Sequence, residues 1–135
     1  MDYLWVALGS ALGGMGRYWV AIAVARLTGP QFPWGTILIN VVGSFIIGLV
    51  GALTGPGGRL PVLPELRIFV MVGFCGGFTT FSSFSLQTLE LLRDGRVAEA
   101  LGNIALSLLL CLAAVAAGYY GGLALNAARA LGQEG

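Results

Sequence analysis

Gly73-Phe-Cys-Gly-Gly-Phe-Thr-Thr-Phe-Ser-Ser-Phe-Ser85 lies inside a segment apolar enough for a bilayer, yet it is crowded with glycine and hydroxyl side chains. A plain lipid-facing helix has no use for that composition. The adjacent glycines Gly76 and Gly77 weaken a helix. The Thr/Ser cluster beside them can rebind backbone groups that a break sets free, or line a polar path. Non-helical backbone at membrane depth persists only where protein or a water-filled cavity covers it. The stretch therefore predicts a third helix broken near its middle, lining a permeation or binding site.

The rest of the chain sets this stretch in a membrane. Of 135 residues, 57% are hydrophobic and only 10% are charged, with a mean hydropathy of +0.88. A soluble domain of this size has too little interior to hide that much apolar surface, so the chain reads as an integral membrane protein. A net charge of +1 argues against binding nucleic acid. All seven basic residues are Arg and there is no His, which removes the commonest metal ligand and general base. Cys75 and Cys111 both fall in apolar segments and read as small buried hydrophobes, without the spacing of a disulfide or metal pair. Met1-Asp2-Tyr3 has no basic region and no Ala-x-Ala site follows, so the beginning reads as the first membrane helix and not as a signal peptide.

A span needs about 20 mainly apolar residues, and four stretches qualify: about 3–27, 34–53, 66–92 and 97–128. The fold class is an all-α membrane protein, a single four-helix transmembrane domain over residues 1–135. The connections are short and rich in Gly and Pro, and Asp94-Gly95 is a turn pair. No loop is long enough to fold separately, so function must be built from the helices and from oligomer partners. Four Gly-x-x-x-Gly pairs (Gly9/Gly13, Gly51/Gly55, Gly73/Gly77 and Gly118/Gly122) favour close helix packing, although Gly55 sits at a loop edge. Four helices enclose little interior, which points to a homo-oligomer.

Arginine placement gives no orientation. With four spans, Arg59, Arg67 and Arg129 fall on one side, Arg26, Arg93 and Arg96 on the other, and Arg17 inside the first helix. The positive-inside rule is balanced. Either the first helix decides a weak bias, or both orientations insert and an antiparallel dimer forms.

The polar residues within the spans carry the chemistry. Arg17 is the one charge near mid-span, where insertion costs about 2.5–3.5 kcal/mol; it reads either as a structural partner of carbonyls or of a loop carboxylate, or as a positive field for an anion. No carboxylate lies mid-span. Glu90 and Glu99 sit near helix ends, which argues against a proton-coupled cation carrier. Asn40 and Thr36 are four apart and share a face of the second helix. The Asn40 amide reads as a donor to a pore or as a link between helices. Phe81 and Phe84 share one face of the third helix, with Thr80 and Ser83 in a neighbouring hydroxyl row. Phenyl ring edges are positive and can face an anion. Ser107, isolated in the fourth helix, either completes a donor set or bonds back to its own helix. These residues suit a small, hard anion without naming it.

The chain resembles the Fluc (CrcB) family of fluoride channels along nearly its whole length. The resemblance rests on Gly13-Gly-Met-Gly-Arg-Tyr18, on Gly35-Thr36 with Asn40 and Gly43, and on Gly73 to Phe84. It implies a dual-topology antiparallel homodimer in the cell (inner) membrane. Two pores would export fluoride passively and protect against its toxicity. By motif position, Phe81 and Phe84 look like pore-lining phenylalanines and Asn40 like the pore asparagine, with Thr36 one turn away. Thr80 and Ser83 fall on the polar track, Ser107 resembles a pore-facing serine, and Arg17 looks like a vestibule arginine. The resemblance also implies one structural Na⁺, held by carbonyls matching Gly76 and Thr79 from both subunits. The family often has Thr where Ser83 stands, and some members carry a Tyr where Asn103 stands here. Two other readings remain. A small multidrug-type dual-topology exporter would need a membrane-embedded carboxylate, with Glu90 the nearest candidate. A structural assembly factor would move no solute.

Overall fold

The computed structural model describes residues 2–56, 58 and 60–131, and every regular element in them is helical. Helix α1 (Asp2–Thr28) carries Asp2 in its first turn and Arg26 in its last, each matching the local end of the helix dipole. It stops at Gly29, whose φ of 78° is the left-handed conformation that glycine adopts without strain. Helix α2 (Trp34–Thr54) follows directly after Pro33 and ends at an extended Gly55.

The third span is assembled from pieces. Helix α3 (Pro64–Ile68) opens with a proline, whose missing N–H loses nothing in a first turn. A π-helical stretch (Phe69–Cys75) and the short α4 (Gly76–Phe78) continue it. The chain then leaves helical geometry at Thr79 (ψ 160°) and Thr80 (φ −153°, ψ 109°) before α5 (Phe81–Arg93) begins. Gly95, at φ 76°, makes the turn into α6 (Val97–Leu131), where Arg96 and Glu99 form an ion pair. The sequence places the weak point at Gly76-Gly77. The chain instead stays helical there and opens two residues later.

Packing explains those glycines. A Cβ on Gly9 or Gly13 would run into the backbone carbonyl of Phe69 or Phe74, and one on Gly77 would lie 2.6–2.8 Å from Ser10 backbone atoms. Gly9/Gly13 and Gly73/Gly77 thus mesh with each other, joining α1 to the first half of the third span. On the other side, Gly48 lies against the Val115 carbonyl, Gly118 against that of Phe45, and Gly122 beside Ala52, which draws α2 tightly onto α6. The Gly51/Gly55 pair makes no such interface: Gly51 meets only the Met71 methyl, at 3.7 Å.

Among the described residues, three helices are long and apolar enough to cross a membrane: Trp34–Thr54, Pro64–Arg93 and Val97–Ala128. The sequence reading had four. Helix α1 has the length, at 27 residues and about 40 Å. Its apolar content, however, is diluted by Arg17 and four glycines. Large apolar side chains such as Leu12, Val42, Leu89 and Leu109 remain exposed on all four long segments. A helix that is apolar on its outward face is built for lipid, not water. Arg59 lies outside the described residues, as does the side chain of Arg129, so the arginine balance remains a property of the sequence alone.

Candidate functional site

Breaking a helix orphans backbone groups, and the residues around Thr79-Thr80 take them up one by one. The Thr79 N–H and hydroxyl both donate to the Cys75 carbonyl, at 2.9 and 2.8 Å. In a continuing helix the Thr80 N–H would reach back to Gly76. It donates instead to Asn40 Oδ1 (2.7 Å), while Asn40 Nδ2 donates to the Thr80 carbonyl (3.1 Å). One amide side chain thereby satisfies both backbone groups of one residue. The Thr80 hydroxyl caps α5, accepting from the Ser83 N–H at 3.2 Å and donating to Ser83 Oγ at 3.0 Å. Arg17 donates from its guanidinium to the Thr79 carbonyl at 3.5 Å.

The break also sets two helix poles side by side. The carbonyl end of the segment finishing at Phe78 carries partial negative charge and attracts cations. The N–H end of α5 carries partial positive charge and attracts anions. Arg17 occupies the first pole. Hydroxyls of Thr80, Ser82 and Ser83 crowd the second.

Beside the break lies a cavity of about 380 Å³ between α2, the third span and α6. Asn40, Thr79, Thr80, Phe81, Phe84 and Ser107 all line it, as does the open backbone of Gly76. The Phe81 and Phe84 rings lie 5.3 Å apart at 47°. Apolar side chains such as Ile47, Leu108 and Leu112 make up most of the remaining wall, and the Phe81 ring is 75% exposed. Arg17 touches the break but does not line this cavity.

Two expected site residues lie elsewhere. Thr36 is buried and lines a separate cavity of about 320 Å³ with Tyr18, Pro33 and Gln87, because the turn from Asn40 to Thr36 carries it below the break. Ser83 faces its own cap: its Oγ is held by Thr80, and it is not among the residues lining the larger cavity.

The structure gives places to residues that sequence reasoning did not assign to the site. Asn103, 0% exposed, donates to the Thr88 hydroxyl at 2.9 Å, and Thr88 donates to the Phe84 carbonyl at 2.7 Å. Ser107 donates to Asn103 Oδ1 at 3.4 Å. This buried string joins the cavity wall to the α5–α6 contact. An uncharged polar residue one turn before Ser107 was the available signal. Cys75, Cys111 and Met71 also line the larger cavity, and the first two read in sequence only as small hydrophobes. Gln87 stands between two cavities with an enclosed Oε1 that lacks a partner. Glu90 is exposed, at a third cavity of about 210 Å³ with Asp94 and Arg96. No cluster of three or more His, Cys, Asp or Glu occurs among the described residues. The hard oxygens at the break are backbone carbonyls, hydroxyls and the Asn40 amide oxygen, with no carboxylate among them.

An all-helical, multi-pass membrane protein with a largely apolar cavity, lined by a few polar groups and two phenyl rings at a helix break, is the class that these features define. Residues 4–119 match the family model described as CrcB-like protein, Camphor Resistance (CrcB). The chain belongs to the CrcB family. It is 60% identical over 126 residues to a protein of Methylocella silvestris named fluoride-specific ion channel FluC, covering 93% of this chain and 96% of that one. Proteins of the same name from Opitutus terrae (56% over 124 residues; 92% and 94% covered) and Rhodospirillum rubrum (49% over 126 residues; 93% and 98% covered) are similarly related.

Proposed function

We propose that this chain is a fluoride-selective channel that releases the ion passively from the cytoplasm, as an antiparallel, dual-topology homodimer with two pores. The observation that carries the reading is the single cavity at the helix break, shared by Asn40, Thr80, Phe81, Phe84 and Ser107. The names of the relatives supply the ion. The process is transport and involves no catalysis.

Fluoride is small and strongly hydrated, so a pore must replace its water with donors. Asn40 uses one Nδ2 hydrogen on Thr80 and retains a second for the cavity. Hydroxyls of Thr80 and Ser107, the positive pole of α5 and phenyl edges of Phe81 and Phe84 complete a donor set without a carboxylate. Larger halides are refused by width. Thr36, in the neighbouring cavity, belongs to an approach to this track, and Ser83 acts by orienting Thr80. Arg17 raises the local anion concentration near the break while bonded to Thr79.

Other features support the assembly. The exposed Phe81 ring suits a wall that a second copy completes. Helix α1 acts as the fourth span: it is long enough, and its glycine face is locked to the third span. Balanced arginines allow insertion in both senses. The Gly76 and Thr79 carbonyls suit a structural Na⁺ shared between two copies: they lie at the negative pole of a helix end, the Gly76 carbonyl has lost the Thr80 N–H to Asn40, and the Thr79 carbonyl keeps a lone pair beside its long contact with Arg17. The setting is the cell (inner) membrane. Every carboxylate among the described residues lies near a helix end, which leaves the exporter reading without its relay.

Fluoride and chloride efflux from liposomes containing the purified protein tests the reading. Fast fluoride release without chloride release is expected. Phe81→Ile and Asn40→Asp should each lower it by roughly tenfold or more, about 1.4 kcal/mol or more in barrier, with the dimer intact. No fluoride release from folded, dimeric protein overturns the proposal, and unchanged flux in both variants overturns the site assignment.

A further inference from the structure

The larger cavity has a second chemical character that the anion path does not use. Both cysteines of the chain and one of its three methionines line it. Met71 and Cys75 come from the π-helical stretch, four residues apart and within one π turn. Cys111 comes from α6, one turn beyond Ser107, so sulfur-bearing residues line the cavity from two separate elements. Both thiols are free. Neither has a side-chain hydrogen-bond partner among the described residues, whereas Asn40, Thr79 and Thr80 are all engaged. Opposite Met71, the missing side chain of Gly51 leaves room for the thioether methyl to swing.

We propose that Cys75, Cys111 and Met71 form a site for a soft, thiophilic cation of the Ag⁺, Cu⁺ or Hg²⁺ class, and that its occupancy obstructs the cavity. Soft thiolate and thioether ligands select such ions over hard ones. Binding replaces a thiol S–H bond by a sulfur–metal bond, and the proton leaves to water with no change in oxidation state. One monovalent ion entering as one proton leaves keeps the site neutral, which a largely apolar surrounding favours. The bound ion would then stand among Asn40, Phe81 and Phe84, where an anion must pass. Obstruction of flux rests on the proposed channel reading. Binding itself does not.

Silver nitrate in chloride-free buffer is the probe, with two independent readouts. Ultraviolet silver–thiolate absorption of purified protein should rise saturably and reverse with dithiothreitol. Half-blocking silver in fluoride efflux should increase about tenfold or more in Cys75→Ser and in Cys111→Ser, and less in Met71→Leu. Each variant is compared with its own unblocked rate, and Cys→Ala versions replace any serine variant that fails size-exclusion. Absence of the absorption band in the wild type, or identical silver titrations in wild type and both cysteine variants, overturns the site. Silver bound at the cysteines with efflux undiminished overturns the obstruction. Wild-type protein that moves no fluoride strikes the channel reading alone, and the absorption titration still decides the site.

Discussion

The two halves of the third span are held by different forces. From Phe69 to Phe78 the chain lies backbone against backbone on α1, through Gly9, Gly13, Gly73 and Gly77. From Phe81 to Arg93 it is tethered mainly by side-chain hydrogen bonds: Asn40 to Thr80 at its start, and Asn103 to Thr88 further along. Contact between glycine faces tolerates no added atom, because packed interiors have nowhere to put it. A hydrogen-bonded tether gives way by degrees. The rigid half bears the break, and the more loosely held half carries the phenylalanines and hydroxyls of the candidate path.

Substitution should separate the two regimes. The largest effect is expected for Gly13→Leu or Gly77→Val, where the new side chain meets main-chain atoms that cannot retreat. A loss on the order of 3 kcal/mol should abolish the monodisperse peak of detergent-purified protein. Next comes Asn40→Ala, which strands the Thr80 N–H and carbonyl beside the cavity, at about 1 kcal/mol for each group. Hydrogen exchange should then rise from Thr79 through α5 while Phe69–Phe78 stays protected. Equal loss of protection in both halves would erase the distinction. Asn103→Leu removes a smaller tether, at about 1 kcal/mol, and should raise exchange only around Thr88. The smallest effect belongs to Gly14→Ala, whose added methyl meets nothing within 4 Å. Its melting temperature should stay near that of the parent, within about 0.5 kcal/mol.

The all-helical class and the interrupted third span were legible because apolar length and a Gly/Thr/Ser run are local signals. The position of the opening was not. Gly76 and Gly77 look like the weak point, but Gly77 is held helical by its fit to Ser10, 67 positions earlier in the chain yet adjacent in space. The split between Asn40 and Thr36 was hidden for a similar reason. Shared face along a helix does not fix which cavity each turn meets, and the break decides that. Asn103 and Thr88 looked ordinary because each is polar only singly; their pairing depends on how α5 docks on α6. The π-helical stretch leaves no mark in composition at all.

The glycine mesh between α1 and the third span also bears on biogenesis. The Ser10 hydroxyl finds its acceptor at Gly73, 63 residues later in the chain. During translation α1 emerges before the third span, while the surface that fits its glycines does not yet exist. Until that surface is made, the glycine face of α1 lacks its final partner, and its seating waits on the arrival of Phe69–Phe78.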